Sequence, residues 1–392
     1  MVAALRPLRL STFQLSVACL TRQAEWAILK PEWDALHALI AGAHPSLGFE
    51  WTVAWQEYIT ARRSASRRDV RVYTVRGPEN ELRAVVPCIS TEVRVGPLPR
   101  ARSIDVGLAS FCTERTPLLL APSDEAAVMQ VLARRFADDA FHLVRWTALL
   151  RDREAIAALS IHGTGLRAED AAALILEMPS SWAVLRSRLS RKMRKTLRTD
   201  RRYFRDEGIE PTFHVHVGAQ AVRAAVASFV DLHRDNAGAN SKETQALLAS
   251  PSTERFLGRL ASSTSALWSM RAYELRVLDK PAAIRFGMLK GDVLHLHLFA
   301  DAAAWRGYGS LTLLGEYILR HSITQRHARV HLGIGRNPSA LRWRPTITHY
   351  TSVVVWRSGW WPATLRLAHA CRLGGESLLE HVTGRLRQRI NA

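Results

Sequence analysis

The stretch Gly291–Ile323, GDVLHLHLFADAAAWRGYGSLTLLGEYILRHSI, decides how this chain is read. Alternation from Val293 to Phe299 predicts a strand, with Leu294, Leu296 and Leu298 on one face and His295 and His297 on the other. A loop through Arg306-Gly307-Tyr308-Gly309-Ser310 follows, and apolar residues at helical spacing begin near Leu311. Strand, glycine loop and helix in this order offer unpaired backbone N–H groups and the positive helix end to a phosphate. Glycines let the backbone approach an anion closely, and Arg306 adds a charge-assisted donor. A plain turn whose glycines supply positive φ has the same appearance, so the loop alone leaves both readings open.

Just upstream, Met270–Leu278, a turn at Asp279-Lys280-Pro281 and Ala282–Lys290 predict a hairpin. Val70–Arg76, a turn at Gly77-Pro78-Glu79-Asn80 and Glu81–Ser90 predict another, and Arg271, Tyr273 and Arg276 stand 200 residues after Arg71, Tyr73 and Arg76. Each hairpin follows a helical region and precedes more strand and helix, so duplication of one α/β unit is the economical explanation. In the first unit two helices lie between Glu25 and Ile59, with Trp26, Trp33, Leu36, Leu39 and Ile40, then Trp51, Trp55 and Tyr58, on a core stripe broken at Pro45. The unit continues through a Gly/Pro-rich stretch at Gly96-Pro97, a helix from Ser123 to Asp138 and a strand from Phe141 to Leu149. The second unit opens after a strand at Leu174–Met178, with one helix that starts at Ser180 and closes at Gly208 as a C-cap. From Arg186 to Arg205 that helix holds ten basic residues against one acidic residue, Asp200. Its readings are a solvated face, a seat for anionic substrate or phosphates, and an RNA contact.

Composition narrows the classes without choosing among them. The chain has 392 residues and 47% hydrophobic content, enough for a large core and more than one domain. Its 54 Lys plus Arg against 35 Asp plus Glu leave a formal charge of +19, which favours an anionic partner. Cys19, Cys88, Cys112 and Cys371 are scattered singly, without zinc spacing, and are expected as buried reduced thiols. No helix-turn-helix or zinc signature supports a nucleic-acid regulator. The start lacks an apolar leader and no apolar run reaches the length of a membrane span, so a cytoplasmic location is expected.

Trp305-Arg306-Gly307-Tyr308-Gly309-Ser310-Leu311 resembles the diphosphate-binding loop of GNAT acetyltransferases, usually Arg/Gln-x-x-Gly-x-Gly/Ala, here shortened with Leu311 at the last position. FEWTVAWQEYI from Phe49, LSRKMRKTLRTDRRYFRDEG from Leu189 and VHLGIGRNPSALRW from Val330 resemble the bacterial branch of that superfamily linked to cellulose and other polysaccharide synthesis. The similarity runs from about Phe49 to Trp356. It implies an α/β protein of two tandem GNAT-like lobes, each a mixed twisted sheet flanked by helices: residues 1–172, then 173–360 with the acyl-donor site, then an amphipathic helical tail over 361–392.

The resemblance also implies acyl transfer from acetyl-CoA or a longer acyl-CoA to an amine or hydroxyl of a small-molecule or glycan acceptor, by direct attack on the thioester. Arg306, Gly307, Tyr308, Gly309 and Ser310 would hold the CoA diphosphate. In such folds two parallel strands splay around the reacting carbonyl, here Val293–Phe299 and Arg329–Ile334, which makes His295, His297 and His331 candidate bases, His297 foremost, and Tyr308 or Tyr350 candidate acids. His331 stands where that branch bears Asp, and no Lys lies near Ala340, so a mechanism resting on those two side chains does not carry over. The pair His295 and His297 has only Asp292 and Asp301 nearby in sequence, so no metal is expected. Two rivals accompany this expectation: a Fem-type ligase fed by aminoacyl-tRNA, and a catalytically silent accessory of an envelope-polysaccharide synthesis complex.

Overall fold

Both halves of the chain build the same series of elements, because both carry the same order of helical and strand periodicities. The computed structural model describes residues 15–40, 43–61, 67–93, 101–107, 119–120, 125–150, 165–236, 243–335 and 337–357. The first half runs β1 (Ser16–Leu20), α1 (Gln23–Leu39), α2 (Phe49–Ala61), β2 (Arg67–Arg76), β3 (Leu82–Val93), β4 (Ala101–Val106), β5 (Leu119–Leu120), α3 (Glu125–Asp138), β6 (Leu143–Leu150) and β7 (Gly165–Glu177). Two connecting helices follow, α4 (Trp182–Arg188) and α5 (Arg191–Asp206). The second half runs β8 (Thr212–Val217), α6 (Ala219–Asp235), α7 (Glu243–Leu248), α8 (Pro251–Ala261), β9 (Ser269–Val277), β10 (Lys280–Lys290), β11 (Val293–Asp301), α9 (Ala303–Arg306), α10 (Ser310–Thr324), β12 (Arg329–Ile334), α11 (Pro338–Leu341) and β13 (Thr346–Trp356).

The strands join into one mixed sheet in the order β1-β2-β3-β4-β6-β13-β7-β12-β11-β10-β9-β8, with β5 on β3. The repeat is visible in it: β2 and β9 each lie second from an edge, and Tyr73 and Tyr273 are fully buried in them. At the centre the closing strands are exchanged. β7 follows β6 in sequence yet pairs with β12, and β13 follows β12 yet pairs with β6, while β7 and β13 run antiparallel along their whole overlap. Because of this exchange the two halves of the chain cannot separate without breaking three ladders, β7 with β12, β7 with β13 and β6 with β13. The expected boundary at 172/173 falls inside β7, and the tail over 361–392, Cys112 and Cys371 lie outside the described residues.

One core is shared by the lobes: Trp51, Trp55 and Tyr58 on α2 surround Phe256 on α8, with ring centroids 5.3 to 5.5 Å apart. Of the other two clusters, one lies under α3 and takes in Val353 and Val355 of the exchanged β13, and one lies under α5 and α10 and takes in Leu174 and Leu176 of the exchanged β7. Three sequence expectations shift in register or extent. Leu39 is 75% exposed, because α1 ends there and the stripe ends with it. The second hairpin turns at Leu278-Asp279, both at positive φ, one residue before the expected turn. The basic segment is two helices, since the Ser190 hydroxyl accepts from Met193 N–H at 3.1 Å and caps a new one. Within α5, Met193, Leu197, Asp200 and Phe204 are buried at helical spacing, and Arg191, Lys192, Lys195, Arg198 and Arg205 are turned outward on the other faces.

Candidate active site

The parallel strands β11 and β12 pair only at Val293↔Arg329, Leu294↔Val330 and His295↔His331, although both strands continue. The separation coincides with a bulge. On the other side of β11, Gly287 faces Leu296 and Arg285 faces Phe299, so His297 and Leu298 together oppose Phe286. The extra residue reverses the alternation: Leu298 packs into the shared core, whereas Leu294 and Leu296 pack under α10, which corrects the expectation that all three leucines share a face. Arg285 reaches the gap and its Nη2 donates to the Leu332 carbonyl at 3.0 Å, occupying an acceptor on the first β12 residue beyond the shared ladder.

His295, His297 and His331 meet His44 there. His44 lies just before the 3₁₀ turn Pro45–Leu47 and stands edge-on to His295 and His297, with centroids 4.5 and 5.1 Å away. His295 and His331 are 4.4 Å apart, and Trp51 flanks His297 at 6.1 Å. Helix α2 and this turn cover the strand face that the sequence presented as polar, which is why the rings are interior. The Ser46 N–H donates to His44 Nδ1 at 3.1 Å, so the neutral His44 ring carries its proton on Nε2. Lys290 anchors the segment: its Nζ donates to the carbonyls of His37, Ile40 and Ala43 at 2.8, 3.0 and 3.1 Å, and His37 Nε2 donates to His44 O at 3.1 Å.

Burial governs the electrostatics. It drives His44 and His295 well below the ordinary imidazole range, with neighbouring imidazoles adding to the effect. His297 is pushed to about 3 by burial, then by the Arg285 charge and by His331. His331 is pushed to about 4 by burial and Arg329, and burial lowers Lys290 to about 8. The four rings are therefore neutral at pH 7. His297 Nε2 is buried without a hydrogen-bond partner. Among the described residues no group of three or more His, Cys, Asp or Glu is placed to hold a metal ion.

The glycine loop lies on the opposite face of the sheet, where α5 packs against it. Trp305 and Tyr308 pack on Phe204, with centroids 5.9 and 5.5 Å away, and Tyr203 stands 6.1 Å from Tyr308. Arg306 is held by Asp301 at 3.0 and 3.1 Å. Gly307 is exposed and open, so that a Cβ there meets nothing within 4 Å. Gly309 caps α10 at φ +75°, and helix geometry leaves the amides of Ser310, Leu311 and Thr312 without intrahelical partners. Asp200 fills the space beside it: a Cβ on Gly309 would lie 2.4 Å from the Asp200 carboxylate.

The expected residues thus form two groups, the histidines at the strand gap and the loop Arg306–Ser310 at the start of α10. Tyr308 belongs to the second group, and Tyr350 lies on β13, paired with β6 and β7. Sequence reasoning passed over His44, Lys290, Arg285 and Asp200 as site residues. Asp200 was the one with a local signal, an acidic residue at an apolar-stripe position of a basic helix.

Residues 191–340 match the family model described as the acetyltransferase (GNAT) domain. The structure of FemX superposes with a TM-score of 0.52 at 10% identity, covering 83% of this chain and 95% of that one. The structure of L-PGS from Bacillus licheniformis superposes with a TM-score of 0.50 at 12% identity, covering 86% of this chain and 95% of that one. A tandem GNAT protein from the clavulanic acid biosynthesis pathway gives 0.46 at 13% identity over 88% of this chain and all, 100%, of that one. No curated protein matches the chain. Residues 191–340 are thus similar to a GNAT acetyltransferase domain, and the chain as a whole has a mixed α/β fold shared with these structures. Among the described residues no helix is long and apolar enough to cross a membrane.

Proposed function

We propose that this protein transfers an acyl group from acetyl-CoA or a longer acyl-CoA to an amine or hydroxyl of a sugar, polysaccharide or cell-envelope precursor, in the service of exopolysaccharide synthesis of the cellulose type. The observation that supports the reading is the separation of β11 and β12 beside the His297 bulge, with Arg285 reaching the same gap. The diphosphate would rest on the amides at the start of α10, with Arg306 and Gly307 at its rim, and the thioester would enter the gap. The acceptor N–H or O–H attacks the thioester carbon and its proton passes to His297 Nε2. Collapse of the tetrahedral intermediate breaks the C–S bond, and the departing thiolate takes that proton. Arg285 is the donor available to the developing oxyanion. Neutralising Arg285 in this way removes one of the influences that depress His297, so the base strengthens as the reaction proceeds.

Calorimetric titration of the wild type and Gly309→Trp with acetyl-CoA, longer acyl-CoAs and tRNA tests the donor. Binding of a CoA thioester that the substitution abolishes is expected. His297→Ala is expected to lower turnover, followed as thiol release from acetyl-CoA with a panel of amino sugars and glycans, by about tenfold or more at unchanged donor affinity. Unchanged turnover would remove His297 from its role.

A Fem-type ligase drawing on aminoacyl-tRNA is the second reading, favoured by the basic outer face of α5. It requires tight tRNA binding that weakens steeply with salt, and no CoA binding. Binding of neither ligand would leave an accessory role in a polysaccharide-synthesis complex.

A further inference from the structure

We infer that Asp200 is the resident anion of the seat at the start of α10 and sets the affinity of that seat for a phosphate-bearing donor. The inference rests on the donor site proposed above.

Three observations meet at one place. The amides of Ser310, Leu311 and Thr312 begin a 15-residue helix and have no partner within it. Asp200 comes from a different element, α5, is only 7% exposed, and has its carboxylate against Gly309 at the helix cap. Its Oδ2 and the hydroxyl of fully buried Ser310 both lack hydrogen-bond partners, an uncommon state for interior oxygen atoms. A helix N-terminus attracts a carboxylate as it attracts a phosphate, so the two compete for one position.

The surroundings do not settle the competition in Asp200's favour. Burial raises its carboxyl to about 6, Arg342 pulls it down, and Glu316 on α10 pushes it up again. Glu316 is itself buried and is paired with Arg201 and Arg320. Arg342 donates to Thr312 Oγ1 at 2.9 Å, on the first turn of the same helix. The seat thus holds an incompletely satisfied carboxylate under a cationic rim. A diphosphate must displace that carboxylate or tolerate it at close range, and either requirement weakens binding. Asp200 acts in this way as a specificity residue that selects against weakly anchored phosphates.

The test is titration of wild type, Asp200→Asn, Asp200→Ser and Asp200→Glu with inorganic pyrophosphate and, separately, with CoA. The Asn and Ser variants are expected to bind pyrophosphate about tenfold more tightly than wild type, because a close like charge is gone, with Glu near wild type. Equal or weaker pyrophosphate binding by both uncharged variants, with native circular dichroism, overturns the inference. If pyrophosphate tightens and CoA binds none of the proteins, Asp200 keeps its role and the CoA reading falls. If CoA binds and every variant matches wild type for both ligands, the CoA reading stands and the inference falls.

Discussion

The sheet contains two parallel junctions of the same topology, β4 with β6 and β11 with β12, and they are filled with opposite chemistry. In the first, Ser103–Val106 pair with Leu143–Trp146, and Phe136 packs between Trp146 and Phe141 with centroids 5.4 and 6.4 Å apart. The space left among them is a cavity of about 30 Å³, room for about one water. Asp105 and Arg145 face each other on these strands at 3.0 Å. In the second junction the shared ladder is a residue pair shorter before the strands diverge, and the imidazoles of His295 and His331 stand on the face where the first has the ion pair of Asp105 and Arg145. Both copies keep an apolar core under the helix that joins the two parallel strands, and they differ on the other face, where one has an ion pair and the other imidazoles.

Acid provides the largest test of that contrast. His37, His44, His295, His297 and His331 all titrate below the ordinary value in the folded chain, to about 4 for His37 and His331 and about 3 for His297. Depressed folded values mean that the unfolded chain binds protons first. Their stabilising contribution is whole above about pH 6.5 and lost as pH falls, at about 1.4 kcal/mol per pH unit for each ring. Urea unfolding between pH 7 and 4.5 is expected to show a steep decline, shallower in His331→Gln; a flat profile would break the contrast.

Trp146→Ala is expected to cost about 3–5 kcal/mol by urea unfolding, through the cavity it opens, without altering CoA affinity. A loss of CoA binding with little destabilisation would mean that the first junction is a site as well. Removing the anchor of His44 comes next. Lys290→Met is expected to lower turnover by about tenfold at unchanged acetyl-CoA affinity, since it loosens placement of one ring and leaves the seat alone. Smallest is the stability effect of Asp200→Asn. A carboxyl raised to about 6 from 3.8 makes the folded state favour the protonated form, so stability falls as pH rises from about 4 to 6. The variant is expected to melt a few degrees higher than wild type at pH 7.5 and equally at pH 4.

Much of the fold was legible because it is written in local pattern. The hairpins, the core tryptophans and the alternation of helical and strand regions follow from period and turn residues, and the 200-residue offset of Tyr73 and Tyr273 marks the duplication. The strand pair expected to diverge does so, and β12 spans the predicted Arg329–Ile334. What escaped depends on distant partners. Leu298 changed faces because a bulge opposite Phe286 added a residue, which alternation cannot foresee. Histidines read as a polar face became interior because α2 and the 3₁₀ turn lie over them.

By itself, then, the sequence determined most element types, the core tryptophans, the duplication and the presence of a glycine loop ahead of a helix, since each depends on neighbours a few residues apart or on a fixed offset along the chain. Tertiary structure decided the exchange of β7 and β13, the gathering of His44 with His297, the reach of Lys290 to α1 and the seat of Asp200 on Gly309. Those contacts join residues about 100 to 250 positions apart, and a periodicity states which face is buried without stating what will cover it.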